Sequence, residues 1–458
     1  MRSFDAIIIG AGQAGPALAA RLDAAGLSVA IIERHHVGGT CVNTGCKPTK
    51  TLIASAYAAH LARRGGDYGF SVAGPVTVDM PTVAARAAKV IHDSRQGNER
   101  WLEGLERVTL IRGHARFVAP RRISVDGETM TAPRIFLNVG GRAAMPDMPG
   151  IDAVTLLTNT DMVALDTLPD HLVVVGGSYI GLEFAQMYRR FGAQVTVVER
   201  SDRLIAREDE DVSAAVRAML EEEGIAVRTG ATCIGFAPDP AGIAVRVGCA
   251  ADARPVLGSH VLMAVGRRPN TDDLGLAAAG IETDARGYIQ VDDRLETNVP
   301  GIWALGDCNG RGAFTHTAYN DFEIVAANLL DGGDRRVSQR LPGYALFVDP
   351  PLGRVGMTDA EAARTGRPLL HAKRPMTRVG RAVEKGETKG FMKVVADAET
   401  RRILGAAILG TGGDEAIHGI IDMMNADQTI DTLRWAVPIH PTVSELIPTL
   451  LLDLAPSR

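Results

Sequence analysis

Cys41 and Cys46 stand five residues apart in the stretch GGTCVNTGCKPTK, residues 38–50. Two thiols at this spacing suit reversible disulfide chemistry, in which a thiolate attacks sulfur. Gly38, Gly39 and Gly45 permit close approach of other backbone, and Pro48 suits the first turn of a helix predicted over residues 49–60. A thiolate near that helix start, beside Lys47, is expected to have a lowered pKa. Zinc is a structural alternative, which requires two further ligands at typical spacings. The remaining cysteines, Cys233, Cys249 and Cys308, stand singly along the chain. Two unconnected buried cysteines are the other alternative. Five cysteines in all fit reduced thiols with one specialised pair better than a disulfide framework.

The elements that must position these thiols belong to an internal repeat. Residues 6–34 read AIIIGAGQAGPALAARLDAAGLSVAIIER, and residues 172–200 read LVVVGGSYIGLEFAQMYRRFGAQVTVVER. Each predicts a strand (Ala6 to Ile9; Leu172 to Val175), a glycine turn, a helix and a second strand (Val29 to Ile32; Val195 to Val198) ending at an acid, Glu33 or Glu199. The turn residues are Gly10, Gly12 and Gly15 in one unit and Gly176, Ser178 and Gly181 in the other. In both, the acid follows the last turn position by 18 residues. This is the layout of a dinucleotide-binding unit. The first glycine makes the tight turn, the second admits the pyrophosphate to the backbone, the third lets helix pack on strand, and the acid accepts from ribose hydroxyls. The helix N-terminus offers free N–H groups to phosphate. Ser178 puts a small side chain where the first unit has glycine. Two complete units imply two cofactors and electron relay between them.

The 458 residues suffice for about three domains. Lys plus Arg total 49 and Asp plus Glu 54, and the net charge of -5 argues against nucleic acid or an anionic membrane as the main partner. No apolar run reaches the roughly 18 residues of a membrane span. The opening MRSFDAIIIG has no basic and apolar leader pattern, so the expected location is the cytoplasm. The expected fold is α/β, with two Rossmann-like dinucleotide-binding domains followed by an α+β domain. Residues 1–145 and 269–340 are assigned to the first domain, residues 146–268 to the second as an insertion, and residues 341–458 to the third. Gly and Pro residues around 140–150 suggest a linker. The chain returns through a strand and glycine-rich loop at 262–276, then a strand at 298–310 that ends at Gly306 and Asp307, a carboxylate suited to a sugar or ribityl hydroxyl. Beyond Leu341, strands around 343–348, 390–395 and 403–409 precede a helix with the apolar stripe Ile417, Ile420, Ile421 and Met424.

With the Cys41 to Cys46 motif, both fingerprints, the Gly306-Asp307 pair and the C-terminal HPTVSE at His440 to Glu445, the chain resembles, almost end to end, the class I pyridine nucleotide-disulfide oxidoreductases. That is the group of glutathione reductase, dihydrolipoamide dehydrogenase and mercuric reductase. The resemblance implies a homodimer joined through the third domain. It places FAD at Gly10, Gly12, Gly15, Glu33, Thr40, Asp307 and Thr315. NAD(P)H falls at Gly176, Ser178, Tyr179, Gly181, Glu199, Arg200 and Gly266, with Tyr179 as a lid over the nicotinamide pocket. Lys50 would pair with Glu183 beside the flavin. Cys46 would be the thiolate facing flavin and Cys41 the thiol that attacks substrate. His440, oriented by Glu445 and reaching from the other subunit, would be the acid/base. Thiol exchange benefits from such a group independently of any family, because the attacking thiol must lose a proton and the departing sulfur gains one. His35, His36, His60 and His114 are read as structural. No metal cofactor is implied.

Glu199 favours NADH by repelling a 2'-phosphate, while Arg200, Arg203 and Arg207 either face solvent or admit NADPH. The balance leans to NADH. The stretch RAVEKGETKGFMK (381–393) resembles the interface domain of mercuric reductases, but the chain ends LLLDLAPSR without a cysteine pair and keeps His440, which those enzymes lack at this position. The resemblance is therefore to the mercuric-reductase-like branch without the C-terminal cysteine pair, and the expected activity is NAD(P)H-driven reduction of a small disulfide. Hg(II), Cu(II) or a quinone is the alternative acceptor, and a non-catalytic binding role is the third reading. Lys47 either favours an anionic substrate or points at solvent.

Overall fold

The structure is a computed structural model and describes residues 1–250 and 254–456, so the last two residues of the LLLDLAPSR tail lie outside the described residues. Each repeat unit forms a parallel sheet. The first has the order Ile302–Ala304, Arg134–Leu137, Ala6–Ile9, Val29–Glu33, Val108–Arg112. The second has the order Ala226–Arg228, Gln194–Val198, His171–Val175, His260–Met263. Their central strands are buried throughout from Ala6 to Ile9 and from Leu172 to Val175. That burial explains why both read as unbroken apolar runs rather than alternating patterns.

The same collision dictates the first glycine in both units. Gly10 has φ +101° and Gly176 φ +116°, and a Cβ at either would strike the carbonyl of Asn138 or Ala264, which follows the neighbouring strand of the same sheet. A Cβ on Gly15 or Gly181 would strike the Gly10 or Gly176 carbonyl, so the helices Ala14–Ala24 and Tyr179–Phe191 can lie this close only with glycine there.

Three expectations are corrected. The stretch read as a linker contains the strand Gly141–Ala143, which pairs antiparallel with Arg267–Pro269, so the outgoing and returning chains satisfy each other's backbone groups. The predicted C-terminal helix is two pieces, Gly413–Ala416 and His418–Asn425, with Ile417 buried at the break. Cys233 and Cys249, read as solitary, are joined by a disulfide with Cα atoms 5.0 Å apart. The hairpin Gly235–Asp239 and Gly242–Arg246 brings them together, and their separation of 16 residues conceals the pairing in the sequence.

The C-terminal domain is a six-stranded antiparallel sheet: Gly343–Leu346, Leu352–Gly356, Ile403–Leu409, Phe391–Asp397, Leu369–Pro375, Ala455–Pro456. The sequence reading missed Leu352–Gly356 because Arg354 interrupts its apolar pattern. Arg354 is 1% exposed and contacts Glu208 at 3.2 Å and Asp209 at 2.8 Å, tying this sheet to the second dinucleotide unit. Arg354→Met removes the cation from a buried cluster and is expected to cost about 3–5 kcal/mol. Chemical denaturation checks this, and an unshifted midpoint would show that the cluster contributes nothing net.

Candidate active site

The cysteine motif folds as the short helix Gly39–Asn43 and the long helix Cys46–Arg63. The latter starts three residues before the predicted boundary, which makes Cys46 its first residue and sets the sulfur at the positive helix end. The motif is pinned to the first glycine turn. Gly38 N–H donates to the Ala11 carbonyl (2.8 Å), Gln13 Nε2 donates to the Gly38 carbonyl (3.1 Å), and a Cβ on Gly39 would lie 2.8 Å from Gly12 Cα. Asn43 Nδ2 donates to the Gly39 carbonyl and Asn43 Oδ1 accepts from Arg95, which holds the loop between the two cysteines.

Both thiols are reduced, and they are unequal. The Cys46 thiol is pulled down to about 6. The largest cause is the hydrogen bond from Cys41, which outweighs burial, and the Thr315 hydroxyl and Lys50 ammonium add to it. Thr315, at the start of helix Thr315–Leu330, places Oγ1 3.3 Å from Cys46 Sγ. Cys41 is pushed far above its ordinary value because it keeps the proton that Cys46 shares and is itself desolvated. Lys50 Nζ bonds Glu183 Oε2 at 2.7 Å and lies 4.4 Å from the centre of the Phe347 ring, while Glu183 Oε1 accepts from the Phe347 N–H. Lys47, predicted to face either substrate or solvent, donates to Ser94 Oγ at 3.0 Å on the neighbouring helix Met80–Glu103.

The two acids are held identically. Glu33 accepts from Ala11 N–H (2.9 Å) and His35 N–H (2.8 Å); Glu199 accepts from Gly177 N–H (2.6 Å) and Ser201 N–H (2.7 Å). Each carboxylate is thereby fixed beside its glycine turn with lone pairs left for hydroxyl donors. Asp307 lies in the turn Gly306–Asn309, where burial raises its carboxyl and Arg267 at 3.6 Å partly offsets that. These features fit nucleotide cofactors at both turns and a polyol at Asp307. Thr40 is exposed on the first helix of the cysteine motif, Ser178 immediately precedes helix Tyr179–Phe191 without a side-chain bond to it, Gly266 has φ +130° with open space at its Cβ position, and Arg200 is exposed.

Tyr179 is more tightly held than sequence suggests. Its hydroxyl donates to Glu208 Oε1 (3.0 Å), and the Tyr344 hydroxyl donates to the same oxygen (2.6 Å). Burial, then the Glu208 charge, pushes the Tyr179 phenol far up, and burial raises Tyr344 to about 12. Sequence reasoning missed Glu208 and Tyr344 because an acid inside Arg-Glu-Asp-Glu-Asp reads as solvated surface. It also missed Asn138, whose Nδ2 donates to the Gly10 carbonyl. Its only signal is its place at the end of a buried strand.

His440 lies between the short helices Ile430–Arg434 and Leu446–Leu452. Its ring is 80% exposed, and Nδ1 is 2.8 Å from Glu445 Oε2. The segment leading to it exposes Trp435, Val437 and Ile439, an apolar surface of the kind that marks an interface.

Residues 4–321 match the pyridine nucleotide-disulphide oxidoreductase family, and residues 343–451 match its dimerisation domain. The chain belongs to this family. Dihydrolipoyl dehydrogenase of Thermus scotoductus is 34% identical over 449 residues, 97% of this chain and 96% of that protein. RclA of Escherichia coli, a probable pyridine nucleotide-disulfide oxidoreductase, is 33% identical over 97% of this chain and 98% of its own. A mercuric reductase of Bacillus cereus is 32% identical over 96% of this chain and 70% of its own. The solved structure of RclA, described as an HOCl-induced flavoprotein disulfide reductase, matches with a TM-score of 0.90 at 32% identity, covering 98% of this chain and 99% of that one. This oxidoreductase family works with FAD and a pyridine nucleotide. No helix among the described residues is long and apolar enough to cross a membrane.

In the reduced holoprotein, the long-wavelength absorbance of a thiolate against bound flavin is expected to fade as pH falls through about 6 and to be absent in Cys46→Ser. A band that persists in the variant would move the thiolate to Cys41.

Proposed function

We propose that this oxidoreductase is an NADH-preferring reductase of a small disulfide, working as a homodimer in the cytoplasm. The observation that carries the reading is the asymmetric dithiol, one sulfur a thiolate and the other a thiol, docked on the first glycine turn beside the Lys50–Glu183 pair. Residues 1–145 and 269–340 would hold FAD, residues 146–268 the pyridine nucleotide, and residues 341–458 the interface. FAD, when bound, supplies the two-electron link between nicotinamide and sulfur.

The chain's own residues then divide the work. Cys41 gives up its proton and attacks one sulfur of the substrate, and the other sulfur departs and takes a proton. Cys46 as thiolate attacks Cys41, closes the Cys41–Cys46 disulfide and releases the second thiol. The substrate has gained two electrons and two protons; the cysteine pair has lost two electrons and the one proton of Cys41, and solvent supplies the second proton. His440 suits both transfers, since an imidazole can both accept and donate a proton and Glu445 holds one ring nitrogen, which orients the other. Its exposure on the dimerisation domain supports service to the dithiol of a second copy. Lys50 holds positive charge beside Cys46, and Thr315 supplies a hydroxyl to the same sulfur.

NADH is favoured because Glu199 stands at the ribose end of the second turn and Arg203 is committed elsewhere, donating to the Ala206 and Glu208 carbonyls. Lys47 bonds a hydroxyl, that of Ser94, rather than a carboxylate, and this supports an anionic disulfide. A metal-ion acceptor is the second reading, favoured by the Cu(II) complex solved for RclA and by the affinity of thiolates for soft metals.

Cys41→Ser is expected to abolish NADH-dependent disulfide reduction while sparing ferricyanide or quinone reduction; loss of both would point away from sulfur exchange. His440→Ala should slow disulfide turnover by about 10². If His440 acts across the dimer, a heterodimer of one Cys41→Ser chain and one His440→Ala chain contains one intact site and is active. If it acts within its own chain, that heterodimer keeps only the turnover, slowed by about 10², of its His440→Ala chain.

A further inference from the structure

Cys249 is exposed, Cys233 is half-buried, and their disulfide lies beside a hairpin of the second dinucleotide unit. We propose that Cys233 and Cys249 form a second thiol–disulfide site, open to small disulfides and dithiols from solvent, whose oxidation tightens pyridine-nucleotide binding. The second half rests on the reading of Glu199 as the ribose ligand.

The hairpin prepares the pair for reversible closure. Five residue pairs, Gly235↔Arg246 through Asp239↔Gly242, fix its register, and Cys233 and Cys249 lie just beyond the open end. Arg246 Nε donates to the Cys233 carbonyl at 3.2 Å, so the first cysteine is held to the opposite strand by a bond that does not involve sulfur. Reduction therefore leaves the thiols as neighbours, and a held pair recloses at high effective concentration. Exposed disulfides are the ones open to exchange, because an attacking thiolate needs access.

What the disulfide anchors is the segment that backs Glu199. Between strand Ala226–Arg228 and the hairpin, residues 229–234 have no regular structure. Their ties to the acid loop are backbone bonds: Gly230 N–H to the Ser201 carbonyl (2.7 Å) and Ala231 N–H to the Glu199 carbonyl (3.0 Å). Immediately before them, Glu199 N–H donates to the Arg228 carbonyl (2.8 Å). Cys233 is two residues beyond Ala231. Closing the disulfide adds a covalent tie at the far end of this segment, and reduction leaves only the Arg246 bond there, so the loop that orients the Glu199 carboxylate is better ordered in advance in the oxidised form. A pre-ordered site binds its ligand more tightly.

Closure needs only exchange with a small disulfide. One cysteine thiolate attacks the substrate sulfur and expels a thiol; the second cysteine displaces the other thiol from the mixed disulfide. Two protein thiols are oxidised and one disulfide is reduced to two thiols. A dithiol reverses the step. The protein thus binds nucleotide more tightly when disulfides, its proposed substrates, are abundant.

The test is calorimetric titration of holoprotein with NAD+, comparing wild type with Cys233→Ser/Cys249→Ser and with Cys249→Ala. After oxidation, wild type should bind about fivefold more tightly than either variant, at the lower end of typical coupling between sites. After dithiothreitol, all three should converge, which separates this pair from Cys41 and Cys46. Differential alkylation with mass spectrometry across glutathione redox buffers should show Cys233 and Cys249 passing between thiol and disulfide. Equal affinities in the oxidised proteins overturn the coupling, and thiols that stay open to alkylation at every poise overturn the site. Glu199→Ala distinguishes the two readings: if it weakens NAD+ binding while the cysteine variants do not, only this proposal fails. If Glu199→Ala has no effect on affinity, the nucleotide assignment fails first.

Discussion

The chemistry depends on one proton shared between Cys41 and Cys46. Two equivalent thiols near their ordinary pKa would be mostly protonated at neutral pH, and neither would be a ready nucleophile. The proton stays on Cys41, and the surroundings of Cys46 are arranged to keep it there. Cys46 begins a helix of 18 residues, Lys50 sits one turn along, and Thr315 reaches in from a different part of the chain. Glu183, only 6% exposed, neutralises part of the lysine charge and in turn accepts from the Phe347 backbone. Thr315 thus meets the Cys46 sulfur from far along the chain, while Glu183 and Phe347 hold the lysine beside it.

Charge also joins the C-terminal sheet to the nucleotide unit. Glu208 is 2% exposed and accepts from Tyr179 and Tyr344 while facing Arg354; Asp209 faces Arg354 and Lys393. Such a cluster is a poor source of net stability, because desolvation offsets most of the attraction. What it supplies is geometry. Tyr179 cannot swing without giving up a bond to an acid that is itself fixed from the C-terminal sheet, so this side chain and that domain are mechanically one unit.

The features legible in sequence were those imposed by backbone. Gly10, Gly15, Gly176 and Gly181 are forced by carbonyls a Cβ would strike, and Glu33 and Glu199 by the free N–H groups next to them. Contacts of this kind recur at fixed spacing, so both parallel sheets could be foreseen. Arg354, Glu208 and Asn138 could not, because each looks like surface until its partners arrive from another part of the chain. The Cys233–Cys249 pair was hidden for the same reason: only the hairpin register brings the two sulfurs together.

The repeat extends further than the sequence shows, and its extension explains how one architecture came to hold two different functional elements. After the acid of each unit, the chain turns back and docks on the residue after the first glycine. Gly38 N–H donates to the Ala11 carbonyl in the first unit, and Ile205 N–H donates to the Gly177 carbonyl in the second, each at 2.8 Å. Both docking residues have positive φ, +98° at Gly38 and +40° at Ile205. No resemblance links Val-Gly-Gly-Thr-Cys to Leu-Ile-Ala-Arg-Glu, since the shared requirement is a backbone bond and a reversal, not a side chain. Beyond that bond the loops diverge: the first delivers Cys41 and Cys46, and the second delivers Glu208, the anchor of Tyr179. A single backbone contact, used twice, therefore positions both the paired sulfurs of Cys41 and Cys46 and the acid that holds Tyr179.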